Sequence, residues 1–118
     1  MHIETWPLAT KSEANARGHW GRKADRASSQ RGPARMLFEP RVRELGMRLP
    51  LVVRLTRVSP RELDDDNLRP ALKAVRDGIT DALASLGITS DRDRRVTWQY
   101  AQERGRPREQ AVRVEVTW

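Results

Sequence analysis

The strongest constraint on the fold is a run of apolar residues at helical spacing in the second half of the chain. They recur every three or four positions, as on one face of an amphipathic helix: Leu68, Ala71, Leu72, Val75, Ile79, Ala82, Leu83 and Leu86. We expect Asp66 or Asn67 to cap the start of this helix and Gly87 to close it. Pro70 is compatible with the helix if it lies in the first turn.

Four segments have the β-branched or alternating composition of strands: residues 2–9, 49–58, 95–102 and 110–118. The segment 49–58 is the most apolar, which predicts a central strand. Pro7 indicates a strand end or a sheet edge. Gly105 and Pro107 lie between the last two segments and predict a hairpin connection over residues 103–109.

A basic, helix-prone region separates the first two strands. Residues 12–22 are expected to pass from a loop into a helix that continues to about residue 30, and Gly32-Pro33 is expected to break or restart it. A second apolar stripe follows: Leu37, Phe38, Val42, Leu45 and Met47. The order strand, helical region, strand, helix, strand, strand predicts one α+β domain over residues 1–118, a small sheet of about four strands with helices packed on one face.

The charge of the chain indicates a polyanionic partner. There are 23 Lys and Arg against 16 Asp and Glu, which gives a net charge of +7 and an isoelectric point near 11.1. Such a field attracts nucleic acid. The absence of cysteine excludes disulfides and thiolate metal sites. No apolar run approaches the roughly 18 residues of a membrane span, and no secretory signal is visible, so we expect an intracellular protein without a membrane partner.

Three consecutive carboxylates, Asp64, Asp65 and Asp66, interrupt this basic sequence just before the predicted helix. If the segment is extended, Asp64 and Asp66 point to the same side, about 6 to 7 Å apart. Carboxylate oxygens at that separation suit Mg²⁺ or Mn²⁺. An acidic turn that only caps the helix is the alternative interpretation.

Several short motifs, in this order, resemble the RusA family of Holliday junction resolvases, particularly the versions carried by phages and prophages. In the second half they are Asp64-x-Asp66-Asn67, a helix with Lys73 and Asp77, and Gly87-x-x-x-Asp91, followed by the strand at residues 96–102. In the first half the similar residues lead into the basic helix: Asn15, Arg17, His19, Trp20 and Arg22.

The resemblance implies a homodimeric, Mg²⁺-dependent endonuclease that cuts branched DNA with two symmetric nicks in four-way junctions. Asp64 and Asp66 correspond to the family's paired aspartates, Asp91 to its third acidic residue, and Lys73 to its catalytic-site lysine. DNA contacts are expected from the first basic region: Asn15, Arg17, His19, Arg22, Lys23 and Arg26.

The chain departs from the family pattern at two positions. Pro70 stands where many members have the lysine, and Ser90 replaces the first of two adjacent aspartates. Either Asp93 compensates for this aspartate, or the site needs only one ligand there. Lys73 can instead pair with Asp77 one helical turn away.

The length of the predicted helix separates Asp91 from Asp66. A helix over residues 67–86 rises roughly 30 Å, whereas the residues from Gly87 to Asp91 reach back at most about 17 Å. Either the helix starts late, near Pro70, and the loop doubles back, or Asp91 is donated across a dimer interface. Two other functions stay open: a nuclease acting on flaps or forks, and a DNA-binding protein without catalysis.

Overall fold

The computed structural model describes the backbone of residues 1–10 and 20–118, and the side chains of residues 1–10 and 30–118. The described elements are, in order, β1 (His2–Trp6), α1 (Trp20–Glu44), β2 (Leu51–Ser59), α2 (Asp65–Ala82), a 3₁₀ turn (Leu83–Leu86), β3 (Val96–Arg104) and β4 (Ala111–Thr117). The predicted α+β class, with four strands and helices, is confirmed.

The four strands form one mixed sheet in the order β1-β4-β2-β3. β2 is central, as predicted, and pairs parallel to β3 and antiparallel to β4. Because β2 lies between β3 and β4, the predicted hairpin over residues 103–109 is wrong. The alternation of apolar and polar residues identified β3 and β4 as strands, but it does not indicate which strands pair with each other. β2 lies between β3 and β4 because its side chains are the most apolar, so a central position buries the most apolar surface.

α2 is the crossover that the parallel pair β2 and β3 requires. Its predicted apolar face is buried, and Gly87 closes the following turn with a φ of 85°. The predicted start is wrong. The helix begins at Asp65, and Asp64 occupies the N-cap position without a side-chain cap hydrogen bond. Pro70 therefore lies in the second turn, where its missing N–H leaves the Asp66 carbonyl without its usual helical donor.

α1 runs without interruption through Pro33 and Pro40, so the predicted break at Gly32-Pro33 is wrong. An interior proline costs about 3 kcal/mol. Ala34, Phe38 and Val42 are at most 3% exposed, and full burial of a large apolar side chain contributes about 1.5–3 kcal/mol. Packing thus offsets the local penalty.

α1 packs closely on α2 at Gly78. A Cβ atom there would lie 2.3 Å from the Arg31 carbonyl oxygen and 2.7 Å from the Ala34 Cβ. The Arg31 guanidinium donates to both Asp81 carboxylate oxygens at 2.7 and 2.9 Å, and this hydrogen bonding lowers the pKa of Asp81. In the described part of the chain, neither helix combines the length and apolar composition needed to cross a bilayer.

Candidate functional site

Polar side chains converge in a groove between α2 and β3, the strand at one edge of the sheet. Two adjoining hollows of about 290 and 320 Å³ share Arg69 and Tyr100. We call this surface the α2–β3 groove and define it by its lining: Asp65, Leu68, Arg69, Pro70, Lys73, Arg76, Asp91, Trp98, Gln99 and Tyr100.

The periods of the helix and the strand place these residues together. Arg69, Lys73 and Arg76 are four and three positions apart, so they share one face of α2. Trp98 and Tyr100 alternate along β3 and share a face of the sheet. Both aromatic rings lie against this face of α2. The Arg69 guanidinium is 5.3 Å from the centroid of the Tyr100 ring, and the Arg76 guanidinium is 4.8 Å from the centroid of the Trp98 ring.

Arg76 joins the helix to the loop that carries Asp91. Its Nη2 donates to the Asp91 carbonyl at 2.7 Å, and Nη1 donates to the Tyr100 hydroxyl. Its Nε lies 2.9 Å from an Asp91 carboxylate oxygen, but the N–H is not directed at that oxygen, so Nε makes no hydrogen bond there. This contact is therefore an ion pair only. The Trp98 indole also donates to the Asp91 carbonyl, at 3.1 Å.

The aspartates at the start of α2 are exposed. In the described part of the chain, no hydrogen bond or ion pair involves the carboxylates of Asp64, Asp65 or Asp66. Asp64 is extended, but Asp65 and Asp66 already belong to the first helical turn, so the condition under which Asp64 and Asp66 would point to the same side of a strand is not met. Asp65 and Asp66 lie in the first turn of α2, where negatively charged side chains stabilise a helix. Gln102 of β3 holds the preceding residue, Leu63, by hydrogen bonds of 2.9 and 2.6 Å and so fixes where Asp64 emerges.

Asp91 does not join the aspartates at the start of α2. The loop doubles back as far as Arg76, but the helix does not start late. Within residues 1–10 and 30–118, no three acidic or histidine side chains are grouped so that they could hold a metal ion. Donation of Asp91 by a second subunit stays a prediction.

Lys73 makes the alternative contact expected from the sequence. Its Nζ lies 3.4 Å from the Asp77 carboxylate, and 68% of its side-chain surface is exposed. Lys73 also lines the α2–β3 groove. Because an exposed ion pair is weak, the pairing with Asp77 does not prevent the ammonium group from binding an anion in the groove.

The predicted DNA-contact residues are outside what the structure describes. Asn15, Arg17 and His19 precede the described part of α1, and the side chains of Arg22, Lys23 and Arg26 belong to its first turns, where only the backbone is described. Their roles stay predictions.

Sequence reasoning gave no role to Arg69 or Arg76. The available signal was their separation by seven positions, two helical turns, with Lys73 between them. The aromatic partners Trp98 and Tyr100 could not be assigned from the sequence, because only the parallel pairing of β2 and β3 brings that strand beside α2.

No protein-family model matches this sequence, and no match was found among curated proteins.

Proposed function

We propose that the protein is an endodeoxyribonuclease that acts on branched DNA and resolves four-way junctions by paired symmetric nicks. Two copies related by a two-fold axis would place one site on each of two strands. The expected place of action is the cytoplasm of a bacterial host cell.

The observation that carries this proposal is the charge arrangement along α2. Three exposed carboxylates without partners in the described chain stand at its start, and Arg69, Lys73 and Arg76 follow on the face that lines the groove. A phosphodiester needs cations against its non-bridging oxygens and a basic or metal-binding group near the phosphorus. Adjacent acidic and basic surfaces on one helix supply both kinds of group.

A three-carboxylate metal site does not fit one described chain, because no three acidic side chains of the described residues are grouped closely enough, and Asp91 pairs with Arg76 instead. Asp64 and Asp66 suit Mg²⁺, since this ion commonly takes one or two carboxylates and completes its shell with water and substrate phosphate. When bound, the ion would supply an activated water and charge neutralisation. Mn²⁺ has the same preference for oxygen ligands.

The cations of the groove have a separate role. Arg69 is exposed at the groove and stacks on Tyr100, which orients its guanidinium. Lys73 presents a compact ammonium one turn further along the helix. Together they would hold the DNA backbone by its phosphates, so that junction shape rather than base sequence selects the substrate.

The decisive experiment is a nicking assay on a synthetic four-way junction, with a flap and a linear duplex of the same sequence as competing substrates. We expect paired nicks in the junction with Mg²⁺, and a loss of at least about 100-fold in rate for Asp64→Asn, the scale expected when a transition-state contact is removed. Glu62→Gln removes one exposed negative charge two positions away and is the matched control.

A non-catalytic DNA-binding protein is the second candidate. It is favoured by the ion pair that occupies Asp91 and by the lack of a three-acid group in the described residues. It predicts tight binding to the junction without nicks, and equal binding by wild type and Asp64→Asn in the presence of Mg²⁺. Faster cutting of the flap than of the junction would instead assign the flap or fork activity.

A further inference from the structure

A charged residue occupies a core position at the end of the central strand. Arg57 follows Leu51, Val53 and Leu55 at alternate positions of β2, so its side chain leaves the same face of the sheet. Those three leucine and valine side chains are fully buried, and Arg57 itself is only 6% exposed.

Within residues 1–10 and 30–118, the Arg57 guanidinium donates to two backbone carbonyl oxygens. Nε donates to the Thr10 carbonyl at 3.3 Å, and Nη1 donates to the Arg61 carbonyl at 2.6 Å. A guanidinium has five N–H donors. Among the described residues, these two carbonyl oxygens are the acceptors of Arg57, and no carboxylate pairs with it. Burial lowers the pKa of Arg57, but arginine stays protonated in proteins.

A buried hydroxyl group without a partner lies beside Arg57. The Thr10 side chain is 1% exposed, and in the described part of the chain its hydroxyl has no hydrogen-bond partner. Thr10 and Arg57 line a hollow of about 280 Å³ at the end of β2, together with other residues: Ser59, Pro60, Arg61 and Gln110. A buried cation and a buried hydroxyl are both costly unless a partner satisfies them.

We infer that this hollow is a phosphate-binding site, in which the Arg57 guanidinium and the Thr10 hydroxyl donate to the oxygens of one phosphate group. Arginine binds phosphate through two parallel N–H donors, a geometry that its planar fork supplies. Arg61 also lines the hollow and brings a second positively charged residue to it. Among the described residues, no acidic side chain lines the hollow, so its wall favours an anion.

The position of the hollow connects it to the proposed nuclease site. It lies at the carboxyl end of β2, the end of a parallel strand where ligands bind in α/β units. Arg61 to Asp64 spans at most about 10 Å of chain. A DNA phosphate in the hollow would therefore anchor the strand beside the acidic start of α2. This DNA part of the inference rests on the proposed function, whereas phosphate binding does not.

The test uses the full chain and inorganic phosphate, titrated against sodium chloride at equal ionic strength. The readouts are the thermal midpoint and the Nε–H NMR signal of Arg57 in the wild type. We expect phosphate to stabilise the protein and shift this signal. Arg57→Met should weaken phosphate binding at least about tenfold, the scale of one charge-assisted bidentate contact. Arg54→Met is the matched control, because Arg54 is exposed on the opposite face of β2.

Thr10→Val keeps the test decisive if Arg57→Met does not fold. Valine removes the unpaired hydroxyl at nearly constant shape, so the phosphate-free protein should be as stable as wild type or more so, while phosphate binding weakens about three- to tenfold. In the DNA arm, Arg57→Met should reduce the slope of log K against log salt by about 0.9, the contribution of one phosphate contact.

The inference is overturned if phosphate shifts neither readout beyond the chloride control, or if Arg57→Met and Thr10→Val bind phosphate as tightly as Arg54→Met does. In that case the role of Arg57 is structural: it holds the Thr10 and Arg61 carbonyl groups by hydrogen bonds. The phosphate site and the nuclease proposal can be tested separately, because Asp64→Asn should bind inorganic phosphate as tightly as wild type even where it abolishes nicking.

Discussion

The contact between α1 and α2 at Gly78 predicts an unusual sign for a glycine-to-alanine change inside a helix. Alanine is normally favoured over glycine there by about 1 kcal/mol. At Gly78, however, the new Cβ would lie 2.3 Å from the Arg31 carbonyl oxygen, about 1 Å inside the 3.4 Å at which ordinary contacts begin. Both clashing groups, this carbonyl and the Ala34 Cβ, belong to or adjoin the α1 backbone, so the helices must move apart.

Overpacking of this kind costs typically 1–3 kcal/mol, and separation of the helices also weakens the hydrogen bonds between Arg31 and Asp81. We therefore expect Gly78→Ala to lower the free energy of unfolding by about 1–2 kcal/mol after the gain in helix propensity. The corresponding fall in thermal midpoint is about 4–8 °C for a chain of this size. Urea denaturation followed by circular dichroism measures the change.

Gly32→Ala is the matched control in α1. Nothing lies within 4 Å of the position that the new methyl group would take, so the variant should be more stable than wild type by up to about 1 kcal/mol. If Gly78→Ala proves as stable as Gly32→Ala, the close approach of the two helices is refuted.

Two further predictions concern the loop that carries Asp91 and Asp93. Arg76→Met should lower the free energy of unfolding by about 2 kcal/mol, because it removes two hydrogen bonds and a contact with the Trp98 ring. If urea titration shows that Arg76→Met loses no more unfolding free energy than Arg69→Met, this prediction is contradicted. Hydrogen bonds from Arg95 lower the pKa of Asp93 to about 2, so this contact stabilises the fold above the ordinary value of 3.8 and is lost as pH falls towards 2. In Arg95→Met, which keeps the backbone N–H donor, carboxyl NMR titration should show the Asp93 pKa returning part of the way towards 3.8. An unchanged value would exclude the Arg95 side chain as a cause.

The sequence predicted well the elements whose side-chain period is strong. α2 and the central strand β2 were expected because their apolar residues repeat at the helical period or are dense and β-branched. The helix end at Gly87, where φ is positive, followed from the same pattern, because Gly87 comes directly after the last apolar position. These features depend on residues close together in the chain.

Pairing and packing decided what local patterns could not. β4 pairs with β2 instead of forming a hairpin with β3, and α1 continues through Pro33, because burial across the sheet and against α2 outweighs the local signals. The same applies to the site. Three aspartates were visible in sequence, but only the tertiary structure separates Asp91 from them and places it on Arg76.

The chain by itself determined a basic α+β domain with an acidic helix start, because charge and hydrophobic period are properties of neighbouring residues. Only the folded arrangement revealed that Arg57 leaves the apolar face of β2 and meets Thr10 in a hollow. In sequence this arginine is one of 23 Lys and Arg residues, and its burial depends on strands and loops that are distant along the chain.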